Sequence, residues 1–240
     1  EDRKEMKKRG IKAKDSAAVA AYFAEKAQKE AEAKAAAEEY LGSFEPTIRN
    51  FSRVEPLEYA PFDVTLSRHT HQCHGLIGTR GYSIADERRL PLALLVNILG
   101  GPSANSRLNI LLREKNGLSY NIEANYTPYN DCGMVAIYFS TDHHNLDLCR
   151  ELIDKELTTL RTTRLSTRQL SMTKRQFLAQ MAISMENNEG YMLGAGKSYL
   201  VHDEIDTLEE VYRKVSAVRA EQIAEVAEEI FAHTSTLIYQ

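Results

Sequence analysis

Arg113 and Tyr120 are two side chains whose types and spacing could do chemistry together. Arginine presents a rigid fork of N–H donors suited to a carbonyl, and tyrosine a phenolic donor able to support a developing oxyanion. Between them lies the turn-prone run Lys115-Asn116-Gly117. Asn105 or Ser106 can cap a helix through Leu108, Leu111 and Leu112, and Asn116-Gly117 supplies the left-handed residue that ends it. A helix end, a glycine turn and a strand start can bring both residues onto one rim. Two plainer readings stand beside this one: Arg113 can neutralise the carbonyl end of its helix, and Tyr120 can fill a hydrophobic strand face.

Other candidates are weaker. Gly194-Ala195-Gly196-Lys197-Ser198 is similar to the end of a phosphate-binding P-loop, but Tyr191 stands where the pattern needs glycine. Its plainer reading is small residues where helices pack closely. His69, His71, Cys73 and His74 are metal-competent, and His143-His144 adds two more. On a strand, however, His69, His71 and Cys73 share one side while His74 points to the other, so they do not converge. No His-x-x-x-His, His-x-x-Glu-His or Gly-x-Ser-x-Gly pattern occurs. Self-contained hydrolysis therefore lacks visible machinery.

The elements that must position these residues follow from periodicity. Residues 13–41 are rich in Ala, Glu and Lys without Gly or Pro, which predicts one long helix with a thin apolar side. Three prolines between Ser43 and Pro61 read as a linker. Phe62, Val64 and Leu66 alternate with polar residues, predicting a half-buried strand, and 75–82 a second. An apolar helix over 90–99 follows, ended by the loop Gly100-Gly101-Pro102. Strands over 118–127 and 134–141 flank a hairpin turn at Pro128 to Gly133. Helical spacing then recurs over 146–160, 167–185, 191–199, 208–215 and 220–231, with a last strand at 236–239. Hairpin strands followed by a run of helices indicate an α+β fold with a largely antiparallel sheet.

Bulk properties restrict the function classes. A 240-residue chain, 43% hydrophobic, buries a sizeable core, and its formal charge of −4 with no basic block argues against nucleic acid as a partner. No apolar run reaches a membrane span, and the opening residues are unlike a secretory signal; the missing initiator Met suggests an excised piece. Cys73, Cys132 and Cys149 form no CxxC pair, so a disulfide framework is not expected, and the compartment stays open between cytoplasm and periplasm.

Leu99-Gly100-Gly101, Ser106-Arg107-Leu108, Arg113-Glu114-Lys115, Gly117-Leu118-Ser119-Tyr120, Tyr129, Asp131, Gly133, Tyr138 and Thr141 occur in order. This pattern closely resembles the second-half domain of the zinc metallopeptidase family of pitrilysin, insulin-degrading enzyme and mitochondrial processing peptidase. "AEEYLGSF" at 37–44 resembles the closing helix of the preceding half. The resemblance implies a helix and linker from that half over 1–60 and a C-terminal peptidase-like domain, which binds no metal, over 61–240. It implies a two-layer sandwich, a sheet covered by helices, forming one wall of a closed chamber. Zinc would sit in the other half, on His-x-x-Glu-His and a later Glu. Arg113 and Tyr120 match the Arg and Tyr that reach the peptide near the scissile bond, and Gly100 and Gly101 fall in a flexible loop lining the chamber, here one residue longer than the family form before Ser106. Expected partners are a peptide or protein substrate and the upstream catalytic half or a homologous subunit, with the long helix and the chamber wall as binding surfaces. The fragment alone would be inactive. Two functions are implied: the substrate-binding half of a zinc endopeptidase, or a catalytically inactive scaffold or regulatory subunit.

Overall fold

The computed structural model describes residues 2–12, 15–45 and 58–240. The chain forms two compact units, residues 1–54 and 55–240. The expected linker falls largely on residues outside the described set.

In the first unit, helix α1 (Asp2–Lys8) lies beside α2 (Ser16–Leu41), which begins at Asp15, whose carboxylate accepts the Ala18 N–H at 3.1 Å. Met6 and Tyr22 are its buried apolar side chains, and ion pairs Asp2–Lys26 (2.7 Å) and Arg9–Glu25 (3.2 Å) flank them. The remaining face of α2 is solvated, as its alanine-rich composition predicts; Tyr40 and Leu41 near its end are exposed.

The second unit is a two-layer α+β sandwich. Strands β1 (Asp63–Leu66), β2 (Cys73–Gly81), β3 (Ser119–Pro128), β4 (Gly133–Thr141) and β5 (Ser235–Tyr239) form one sheet in the order β1-β5-β2-β4-β3. Only the β1–β5 pair is parallel. The β3–β4 hairpin closes through Tyr129 N–H onto the Cys132 carbonyl at 2.7 Å, so the predicted turn forms where its residue types placed it.

Helices α3 (Arg89–Gly100), α4 (Leu146–Thr162), α5 (Thr167–Ser184), α6 (Asn188–His202), α7 (Leu208–Ala217) and α8 (Ala220–Ile230) make up the other layer. Capping boxes at Ser166/Gln169 and Thr207/Glu210 start α5 and α7. The sheet's period of two fixes which side chains meet the helices. Cys73, Ile77, Val135, Ile137, Phe139 and Ile238 lie in the core with Leu92, Leu95 and Leu99 of α3, Ile153 and Leu157 of α4, and Ile223 and Val226 of α8. Burial of each such side chain contributes roughly 1.5–3 kcal/mol.

The opposite sheet face corrects one expectation. Every residue of β1 is exposed, with Val64 at 40% and Leu66 at 42%, although alternation predicted a half-buried strand. Register explains the placement. Val64 pairs with Leu237, which pairs with Leu76, and Leu66 pairs with Tyr239. These residues therefore line the face away from the helices, where Phe62, Leu76, Met134 and Tyr239 are also exposed. The apolar face is present, and no helix of the second unit covers it.

Helix α6 is a second such case. Its Tyr191, Met192, Leu193, Tyr199 and Leu200 are exposed, and a Cβ built at Gly194 or Gly196 would meet nothing within 4 Å. The P-loop-like run lies inside this helix, so no loop cradles a phosphate there, and close helix packing does not account for its glycines either.

Candidate rim site at the start of strand β3

Arg113 lies in a π-helical segment, Asn109–Lys115, where the sequence predicted an ordinary helix. The segment is anchored by fully buried Leu108 and Leu112. Its wide turn ends through Asn116 N–H and Gly117 N–H (3.1 Å) onto the Arg113 carbonyl, Asn116 Nδ2 onto the Leu111 carbonyl (2.7 Å) and Leu118 N–H onto the Leu112 carbonyl (2.8 Å). Gly117 takes φ +60°, the left-handed conformation expected of it. Arg113 is exposed, and its guanidinium has no ion-pair or hydrogen-bond partner among the described residues.

Tyr120 sits on a β-bulge. Ser119 pairs with Thr141 and Asn121 with Ser140, so Tyr120 is an extra residue between consecutive pairs. Buried Ser119 fixes this irregularity, its hydroxyl lying 2.8 Å from the Asn121 carbonyl and 2.9 Å from that of Ser140. Simple alternation would align Tyr120 with Ile122 and Ala124 on the core side. The bulge breaks that parity, and Tyr120 is 59% exposed while Ile122 and Ala124 are buried. Of the two sequence readings for Tyr120, filling a hydrophobic strand face does not apply. For Arg113, whose place is the last turn of its segment, favourable interaction with the helix carbonyls remains available.

The Tyr120 hydroxyl donates across both oxygens of Asp142, at 3.3 and 3.4 Å. Asp142 follows the last residue of β4 and leads a short 3-10 turn, His143–Asn145. Beside it, His143 bridges two elements, with Nε2 at 2.8 Å from the Thr70 carbonyl and Nδ1 at 3.2 Å from the Cys73 thiol. A carbonyl only accepts, so Nε2 carries a proton, and the Cys73 thiol has two acceptors in reach, Nδ1 and the Gln240 Oε1 at 3.6 Å. Burial pushes the Cys73 thiol above its ordinary value, and the Asp142 charge adds to that. Sequence reasoning did not single out Asp142 or the bulge; buried serine ahead of an exposed tyrosine leaves no hydrophobic signature.

The glycine pair is placed differently from the expected loop. Gly100 is the last residue of α3 and buried; a Cβ there would lie 2.7 Å from the backbone N and Cβ of Ala124 on β3. Gly101 caps the helix, donating to the Asn97 carbonyl at 3.0 Å. The pair sets how closely α3 approaches β3.

The histidines remain dispersed. His74 Nδ1 pairs with the Tyr138 hydroxyl at 2.8 Å on the sheet face opposite Cys73 and His143. Among the described residues, no group of three or more His, Cys, Asp or Glu is arranged to hold a metal ion. No described helix is long and apolar enough to cross a membrane.

A family model described as the peptidase M16 inactive domain matches residues 27–177. The uncharacterized zinc protease YmxG of Bacillus subtilis is 30% identical over 200 residues, covering 83% of this chain and 48% of that protein. The chain thus spans about half the length of the curated relatives it matches. A crystal structure of a peptidase M16 inactive domain from Pseudomonas fluorescens superposes with a TM-score of 0.69 at 20% identity, covering 81% of this chain and 47% of that one. A chain of complex III2 from Candida albicans does so at 0.65 and 14% identity, covering 76% and 46%. Both structural likenesses concern the fold.

Proposed function

The chain belongs to the peptidase M16 inactive-domain family, and on that premise we propose that it is the substrate-holding, non-catalytic half of a zinc-dependent metalloendopeptidase. Residues 1–60 are the helix and linker that close the preceding half domain, and residues 61–240 are the inactive half itself. Zinc and the water-activating carboxylate belong to the partner half, on the same polypeptide or a homologous subunit. Peptide lies between the two.

One observation carries this reading: Arg113 and Tyr120, on either side of the Gly117 turn, are both exposed and both stand on irregular backbone, a π-turn and a β-bulge. Such irregularities cost regular hydrogen bonding and concentrate at functional sites, where they re-aim side chains. A guanidinium without a partner among the described residues and a phenol tethered at one point can turn to a peptide carbonyl. In the chamber, Arg113 binds and orients the peptide backbone, and Tyr120 donates to the carbonyl oxygen as it gains charge. The uncovered apolar sheet face around Leu76 and Val64 offers the surface on which the catalytic half seats.

The test reconstitutes the full protein with its catalytic half and follows cleavage of an internally quenched fluorescent peptide. Arg113→Ala and Tyr120→Phe each lower turnover by about 10²-fold, the scale for one lost oxyanion donor, without shifting the thermal midpoint. Unchanged kinetics in both variants would reject the reading, as would chelator-sensitive hydrolysis by this chain alone. A second reading, an inactive scaffold, draws support from the fold shared with the Candida albicans complex III2 chain. Loss of His-x-x-Glu-His from the partner half would favour it.

A further inference from the structure

Resting on the substrate-holding role of Tyr120, we propose that Asp142 is a positioning residue that parks the Tyr120 phenol at the rim and releases it to an incoming peptide carbonyl. Tyr120 is more than half exposed, and Asp142 is its hydroxyl's sole partner among the described residues. An exposed ring on a bulge takes its direction from whatever holds its far end.

Asp142 itself is held from both sides. Thr141, just before it, is fully buried, pairs with Cys73 and Ser119, and donates its hydroxyl to the Leu118 carbonyl. That carbonyl belongs to the residue leading into the bulged strand, so the two ends of the Tyr120–Asp142 contact share one rigid base. His143, just after it, is pinned by the Thr70 carbonyl and the Cys73 thiol, and Asn145 N–H closes onto the Asp142 carbonyl at 3.0 Å. The backbone at Asp142 is therefore held on both sides, and its carboxylate accepts a hydrogen bond from Tyr120 alone among the described residues.

The distances fit a resting contact. Two bonds of 3.3 and 3.4 Å are longer than the usual O–H···O spacing near 2.7–2.8 Å, so the phenol straddles the carboxylate without committing to either oxygen. A carbonyl arriving within reach exchanges for such a partner at small cost. The carboxylate accepts only, so it cannot turn the phenol into an acceptor; the tyrosine proton stays available for donation.

A double-mutant cycle on the full protein with its catalytic half tests this, reading cleavage of the same quenched peptide. Tyr120→Phe should lower kcat by about 10²-fold, Asp142→Ala by a smaller factor of roughly tenfold because its contact is exchanged for the peptide carbonyl, and the double variant should fall no further than Tyr120→Phe alone. Asp142→Asn, whose carboxamide oxygen still accepts from the phenol, should recover most of the loss. Multiplying effects in the double variant would overturn the inference while leaving the role of Tyr120 intact. Independently of turnover, the ring resonance of 13C-labelled Tyr120, assigned by its absence in Tyr120→Phe, should move in Asp142→Ala. A stationary resonance overturns the inference; a kcat unchanged by Tyr120→Phe removes the substrate-holding reading and this one with it.

Discussion

The two faces of the five-stranded sheet carry similar apolar side chains and meet different fates. Phe139, Ile137 and Val135 of β4 are fully or almost fully buried under α3, α4 and α8, while Leu76, Val64 and Leu66 stay about 40% exposed on the other side. Apolar alternation thus reports that a face avoids water, without saying what covers it. The helix-covered face gives this chain its stability. Under the proposed pairing, the open face contributes its burial only once the catalytic half seats upon it.

Cutting into the covered face should break this contrast most strongly. Phe139→Ala removes a ring that also fills the space above Gly75, whose Cβ would lie 2.2 Å from it. The expected loss is about 3–5 kcal/mol in urea unfolding; a loss below ~1 kcal/mol would show the two faces to be equivalent. Gly100→Val probes the α3–β3 approach, where overpacking costs about 1–3 kcal/mol. Retained stability there would mean that α3 can move off the sheet. The smallest effect on the isolated chain belongs to Leu76→Ser, within about 0.5 kcal/mol. The same substitution should weaken association with the catalytic half measurably by calorimetry. An unaltered affinity would remove the open face from the interface.

The sequence and the structure agree best where the determinants are local. The β3–β4 hairpin needed only turn residues between alternating strands, and α5 and α7 start at their capping boxes. Agreement fails where a distant neighbour decides. Strand β5 could be recognised, but its insertion between β1 and β2 depends on pairings across the whole domain. Gly100 reads as a loop residue until Ala124, from another element, is found against it.

The rim shows the same limit at finer scale. Arg113 and Tyr120 stand out in the sequence because they lie close together in the chain and resemble a known pattern, and the left-handed Gly117 between them forms as its residue type predicts. The π-turn and the bulge do not stand out, since each alters backbone hydrogen bonding while leaving residue types unchanged. Asp142 stayed hidden because its link to Tyr120 exists only once β3 and β4 are paired.

Strand β5 also sets an order on biogenesis. It follows α8, and it is the strand to which β1 pairs, so β1 and one edge of β2 must wait bare while every intervening helix leaves the ribosome. During that interval the nascent chain presents two unpaired strand edges to its neighbours. A stall in translation just before Ser235 should therefore yield a species that recruits holdase chaperones, whereas synthesis carried past Tyr239 lets β5 join β1 to β2.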